Sequence, residues 1–187
     1  MKSPQQQSQL RIIAGRWRGR KLSFAPVPGL RPTPDRVRET LFNWLNPFIR
    51  GARCLDLFAG SGALGIEAAS RGAAEVVMVD HDPVVVATLR EQLQKLGFAD
   101  AQLVQQDINS WLQGKAEPFD IVFLDPPFRE NRLPSCIDLL EGNGWLAAGA
   151  RVYLEAEKAC TLDLPATWEL YRSKSAGQVG YHLARHA

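Results

Sequence analysis

The chain has little of what anchors, staples or metallates a protein. Its 187 residues contain no apolar run near the length that spans a bilayer. Residues 1–9 are polar and lack the apolar centre of a secretory signal. A membrane partner is therefore excluded, and a cytoplasmic location is expected. The three cysteines, Cys54, Cys136 and Cys160, are scattered and odd in number. That excludes a disulfide framework or a zinc cluster and fits reduced thiols. Histidine is as scarce: His81, His182 and His186 read as surface or structural residues, and no constellation for a metal is seen, so none is expected. No internal repeat or low-complexity stretch breaks the chain. One domain, folding as a monomer, is the simplest expectation at this length.

What is present is unevenly placed. The net charge is only +2, yet residues 1–38 hold nine Lys and Arg against the single acid Asp35, a local net charge of +8. The remainder carries −6. A basic segment on an acidic body points to a polyanionic partner. Residues 1–9 are expected to form a disordered tail, and residues 10–50 a basic extension. Within it, 10–24 reads as a β-hairpin whose glycine-punctuated turn carries Arg16, Trp17, Arg18, Arg20 and Lys21. The cations can neutralise phosphates, and Trp17 can stack on a base. A Pro/Gly-rich link follows. Thr33 is then placed to cap a helix with Pro34 at its first position. Val37, Leu41, Trp44, Leu45 and Phe48 give that helix an apolar face.

Residues 51–187 read as one α/β unit. Strands are expected at Arg53–Phe58, Glu75–Asp80, Ala101–Gln106, Phe119–Leu124 and Arg151–Glu155, with helices at Gly62–Arg71, Pro83–Leu96 and Leu133–Leu140 between them. Trp168–Ser173 and Gln178–Leu183 form a final hairpin around Gly177. This alternation predicts a Rossmann-like, doubly wound, mostly parallel seven-stranded sheet with a C-terminal antiparallel hairpin. Only a dozen or so residues, Pro165 among them, separate the fifth strand from that hairpin. A full crossover helix is therefore not expected there.

Two motifs carry chemistry. Gly60-Ser61-Gly62-Ala63-Leu64-Gly65 is G-x-G-x-x-G between a strand and a helix, with Asp80 at the tip of the next strand, 20 residues after Gly60. The glycines allow a tight turn with backbone N–H groups open to a ligand, and the acid can accept from ribose hydroxyls. Asp125-Pro126-Pro127-Phe128 ends the fourth strand. Two prolines remove two donors and leave the Asp125 carboxylate and the Pro126 carbonyl as acceptors, with Phe128 as a flat apolar face. That set suits a planar base with an exocyclic amine. Strands one and four flank the switch point of such a sheet, so the two loops should meet.

Together these motifs resemble class I S-adenosylmethionine-dependent methyltransferases acting on exocyclic amines. Adding Arg11 to Leu22, Arg31-Pro32-Thr33 and Arg38-Glu39 makes the chain similar, from about Leu10 to Leu183, to the RsmD family of bacterial 16S rRNA guanine-N2 methyltransferases. The resemblance implies S-adenosyl-L-methionine as cofactor, without a metal. It implies a specific guanine of 16S rRNA as target, within an assembled or assembling 30S subunit. Asp56, Ala59, Gly60, Ser61 and Gly62 would surround the methionine half of the cofactor. Asp80, with His81 beside it, would hold the ribose, and Asp107 would receive the adenine amine. Asp125, Pro126 and Phe128 would hold the guanine, and Arg31 and Arg38 would join the arm on RNA.

The residues by themselves leave other readings open. The Asp125 loop accepts from adenine N6 as readily as from guanine N2. The glycine motif with Asp80 also suits a nicotinamide-dependent oxidoreductase, although no hydride-transfer constellation accompanies it. A third reading is an RNA-binding protein on an inactive methyltransferase fold.

Overall fold

The computed structural model describes residues 8–24, 27–28 and 30–187, with only the backbone of Ser8 and Arg129. A small antiparallel ribbon pairs β1 (Ser8–Arg11) with β2 (Lys21–Phe24). Of the expected tail, residues 1–7 lie outside the described residues. Ser8 and Gln9 are strand, paired with Phe24 and Ser23. α1 (Asp35–Leu45) follows, burying Val37, Leu41, Phe42 and Leu45.

The main sheet takes β3 (Arg53–Asp56), β4 (Glu75–Asp80), β5 (Ala101–Gln105), β6 (Phe119–Leu124), β7 (Leu146–Glu157), β8 (Trp168–Ala176) and β9 (Val179–His186). Their spatial order is β5-β4-β3-β6-β7-β9-β8. The first five run parallel, and β9 lies antiparallel between β7 and β8. This is the doubly wound sheet with a terminal hairpin that the alternation predicts. β3 lies between β4 and β6, so the order reverses at β3 and opens the crevice there. The stretch from Lys158 to Thr167 contains no helix, as its length requires.

α2 (Gly65–Ser70), α3 (Pro83–Leu96), α4 (Ile108–Leu112) and α5 (Leu133–Gly142) cover the faces. α3 matches its expected span because both ends are written in the sequence. Asp82 accepts from the amides of Val84 and Val85, Pro83 opens the first turn, and Gly97 ends it in the left-handed region. α2 is shorter than expected, since residues 62–64 belong to the turn. Sheet and helices enclose one apolar cluster on each face, the first around Leu41, Ile66, Met78 and Phe123, the second around Leu57, Val79, Val122 and Leu140. Among the described residues no helix is long and apolar enough to cross a membrane.

The basic arm is fastened to α2, all six residues of which are buried. The amides of Ile13 and Ala14 donate to the two carboxylate oxygens of Glu67, at 2.9 and 3.0 Å. The amide of Arg16 donates to the Ser70 carbonyl, and that of Trp17 to the Ser70 hydroxyl. Gly15 is required at this crossing. Its φ is +83°, and a Cβ there would stand 1.8 Å from the Ser70 carbonyl oxygen.

Candidate active site

The glycine turn is built from inside. Gly60 and Gly62 take φ of +48° and +77°. The Gly60 amide donates to Asp80 Oδ2 at 3.0 Å and the Gly62 amide to the Ala59 carbonyl at 2.7 Å. The Gly65 amide donates to Asp56 Oδ2 at 2.9 Å. These three N–H groups are therefore spent within the fold, which corrects the expectation that the glycine amides stand open. The cause is Asp80 itself: the acid at the next strand tip ties down the loop, and its Oδ1 also accepts from the Asp82 amide. Ala59 and Ser61 are buried beneath the turn.

Asp56 and Asp125 end up side by side because β3 and β6 pair in parallel, Asp56 opposite Phe123. Asp56 is 2% exposed. Burial pushes its carboxyl up to about 7, assisted by the negative charges of Asp125 and Asp80, while the Gly65 and Phe58 amides pull the other way. Asp125 is half-buried, and burial raises it to about 6 against hydrogen bonds from Thr33 and Glu155. Asp80, Asp56 and Asp125 thus stand at the ends of three adjoining strands, and the charges of Asp125 and Asp80 make Asp56 harder to ionise. Pro126 is buried beneath the loop, while Phe128 opens a short 3₁₀ turn and is 37% exposed.

Asp107 lies past the end of β5 and caps α4, its Oδ1 accepting from the Ser110 amide at 3.1 Å. Its Oδ2 accepts from Arg132 Nη2 at 2.5 Å. These two bonds, Arg132 first, hold its carboxyl below the usual range. The Arg132 guanidinium also lies 5.9 Å from the centre of the Phe58 ring. Arg132 thereby joins the segment after Asp125-Pro-Pro-Phe to the strand tips around Asp107. His81 is exposed, 3.7 Å from Asp80 Oδ1.

Two arm residues are not where their charge and shape suggest. Trp17 is 4% exposed and packs edge-on against Phe98, with ring centres 5.6 Å apart, so it offers no face to a base. Arg38 is fully buried. It donates to the carbonyls of Thr33 and Arg11 and pairs with Asp35 and Glu67, and so serves as an internal strut, not a phosphate contact. Arg16, Arg18, Arg20, Lys21 and Arg31 remain exposed.

Thr33 is likewise reassigned. Pro34 occupies the N-cap of α1 without a side-chain cap, and Thr33 Oγ1 donates to Asp125 Oδ2 at 3.2 Å. Leu30 approaches Gly60 so closely that a Cβ on the glycine would lie 2.8 Å from its Cδ1. Leu30 and Thr33 therefore lie over the two strand tips. Sequence reasoning also misses Glu67, Glu155 and Tyr153. The available signal is an acid inside an apolar run, as in Gly65-Ile-Glu67-Ala-Ala and Val152-Tyr-Leu-Glu155-Ala. Such an acid is buried and must be partnered.

A family model described as Conserved hypothetical protein 95 matches residues 10–185. The ribosomal RNA small subunit methyltransferase D of Escherichia coli (strain K12) is 53% identical over 176 residues, covering 94% of this chain and 89% of that one. A solved structure described as putative methyltransferase yhhF from Escherichia coli is 54% identical, with a TM-score of 0.88 over 96% of this chain and 98% of its own. A T. thermophilus 16S rRNA N2 methyltransferase (RsmC), solved in complex with AdoMet and guanosine, shares the fold at 22% identity. It has a TM-score of 0.72 over 97% of this chain and 50% of its own.

Proposed function

The chain belongs to the family described as Conserved hypothetical protein 95, that of the ribosomal RNA small subunit methyltransferase D proteins, and on that premise we propose that it methylates the N2 amine of a specific guanine in 16S rRNA. The observation that carries the chemistry is the buried carboxyl of Asp56 between those of Asp80 and Asp125 at adjoining strand ends. No basic side chain is among the causes acting on Asp56 or Asp125. A pocket so charged fits a cationic cofactor, and a sulfonium beside an ammonium is such a cation.

Bound S-adenosylmethionine supplies an electrophilic methyl group, taken up by the amine nitrogen as the carbon–sulfur bond breaks and its electron pair stays on sulfur. The protein's part is to aim the amine. The lone pair of guanine N2 is delocalised into the ring and nucleophilic only when turned out of it. The Asp125 carboxylate and the Pro126 carbonyl accept its two N–H groups, and Phe128 supports the ring. Holding nitrogen and methyl about 3–3.5 Å apart in line supplies much of the rate. The nitrogen becomes cationic on attack, and Asp125 stabilises that charge before a proton leaves. Arg16, Arg18, Arg20, Lys21 and Arg31 supply the phosphate contacts, with an assembling or assembled small subunit as the partner.

The test is transfer of a labelled methyl group to small subunits and to naked 16S rRNA, followed by mass analysis of the nucleosides. N2-methylguanosine is expected. N6-methyladenosine in its place would overturn the base assignment, and no transfer to either substrate would overturn the enzyme. Asp125→Ala should abolish transfer while cofactor binding survives through Asp56 and Asp80.

A further inference from the structure

Behind Asp125, away from the glycine turn, lies a second buried acid that the reaction as drawn does not use. Glu155 is 5% exposed and sits on β7, the strand next to β6. Its carboxyl is in hydrogen-bonding reach of Asp125. Tyr153, fully buried two residues earlier on the same strand, donates its hydroxyl to Glu155 Oε1 at 2.6 Å. We propose that Glu155 is a positioning residue: it donates a hydrogen bond to Asp125 and, with Thr33 on the other side, fixes that carboxylate as the acceptor for the target amine.

The geometry demands a proton between the two acids. Two buried carboxylates within hydrogen-bonding reach cannot both ionise readily without a cation, and among the described residues no cationic side chain acts on either. The groups facing Glu155 are Asp125 from the β6 tip, Tyr153 on its own strand, and Tyr181 opposite it on β9. Beyond Tyr181 the register continues to Lys174 on β8, which is exposed. From α1, Trp44 stacks on Tyr181 and brings no charge. The proton rests on Glu155, the acid set back from the crevice. Burial and the Asp125 charge push Glu155 up to about 8, against about 6 for Asp125. The pair therefore carries one negative charge, on the acid that faces the crevice, and Tyr153 fills the remaining acceptor site of Glu155. The result is a chain of donors, Tyr153 to Glu155 to Asp125, met by Thr33 from the opposite side.

This inference rests on the proposed methyl transfer, so its experiment has one arm that needs no RNA. Infrared difference spectra of the free protein, taken as pH is raised through about 8, should show loss of a protonated carboxyl band that is absent from E155Q. The absence of that band from the wild type overturns the proposal, whatever the protein methylates. The second arm is the pH profile of kcat. The wild type should lose activity as Glu155 ionises. E155A should lose on the order of 100-fold in kcat, the scale of a misplaced catalytic group, with cofactor affinity little changed. E155Q keeps an N–H donor and cannot ionise. It should recover most of what E155A loses and show no alkaline fall. An E155A enzyme with wild-type kcat, or an E155Q enzyme with the wild-type alkaline limb, overturns the assignment. If E155A fails to fold, E155Q still decides.

Discussion

The Thr33 hydroxyl donates to Oδ2 of Asp125 across 92 residues of sequence, at 3.2 Å. It ties the segment leading out of the basic arm directly to the acid expected to grip the base. A hydrogen bond to a charged group is worth about 1.5–3 kcal/mol. Thr33→Val should therefore lower kcat about 10-fold or more. Because the hydroxyl favours the ionised form of Asp125, its loss should also move the acid limb of the kcat profile to higher pH. Thr33→Ser should restore both. A Thr33→Val enzyme with an unmoved acid limb would show that the hydroxyl serves only the fold.

The carboxyl cluster makes stability and cofactor binding respond oppositely to pH. Asp56, Asp125 and Glu155 are all raised in the folded chain, to about 7, 6 and 8. Between the ordinary carboxylate range and these values the native state binds more protons than the unfolded state. The cost of holding them ionised is present above the folded values and relieved as pH falls. The free protein should therefore gain stability from these groups as pH drops from about 8 to about 6. A bound cation favours the ionised forms, so the rise in Tm produced by S-adenosylmethionine should shrink over the same interval. S-adenosylhomocysteine, whose sulfur is neutral, should show a weaker dependence. Equal pH dependence for both ligands would count against an electrostatic role for the cluster.

The arm separates into exposed cations, proposed to meet RNA, and buried residues that serve the fold. Replacing Arg16, Arg18 and Arg20 together with Ala should weaken RNA binding and flatten its logarithmic salt dependence by about 2–3. The Tm should hardly move, since all three are exposed. Trp17→Ala should instead cost about 3–5 kcal/mol of stability. An unchanged salt slope in the triple variant would remove the arm from the interface.

These outcomes bear on how much was readable in advance. β4, β6 and α3 are found at their expected bounds because unbroken apolar runs end at acids, prolines and a glycine. α4 escapes notice because five residues are too few to show a period. The two loop tips were legible as motifs, and the sheet order that brings them together follows from the crossover rules. Trp17 and Arg38 were not legible, because charge density and aromatic content say nothing about which way a side chain points. Trp17 turns inward onto Phe98. Arg38 is buried among Asp35, the Thr33 and Arg11 carbonyls and Glu67, which lies far along the chain and 3.5 Å from its Nη1. Partners that distant leave no local trace.

Glu67→Ala tests that long-range pairing. It would remove the acceptor of two arm amides and one ion-pair partner each of Arg38 and Arg71, and it should cost about 3–5 kcal/mol. Gly15→Ala should loosen the same junction through its clash with the Ser70 carbonyl. Both variants should show faster hydrogen exchange at residues 13–17 than the wild type, while exchange in β4 is unchanged. Unaltered exchange in the arm would mean that other contacts hold it.

The fastening of the arm to α2 has a bearing on the order of assembly. The contacts of Ile13 and Ala14 with Glu67 close loops of more than 50 residues, and closures of that span come late. The helix they need begins where the glycine turn ends. The cationic arm should therefore settle only once α2 and the turn before it are in place. On the proposed function, a chain whose grip on RNA has formed would be one already equipped to react.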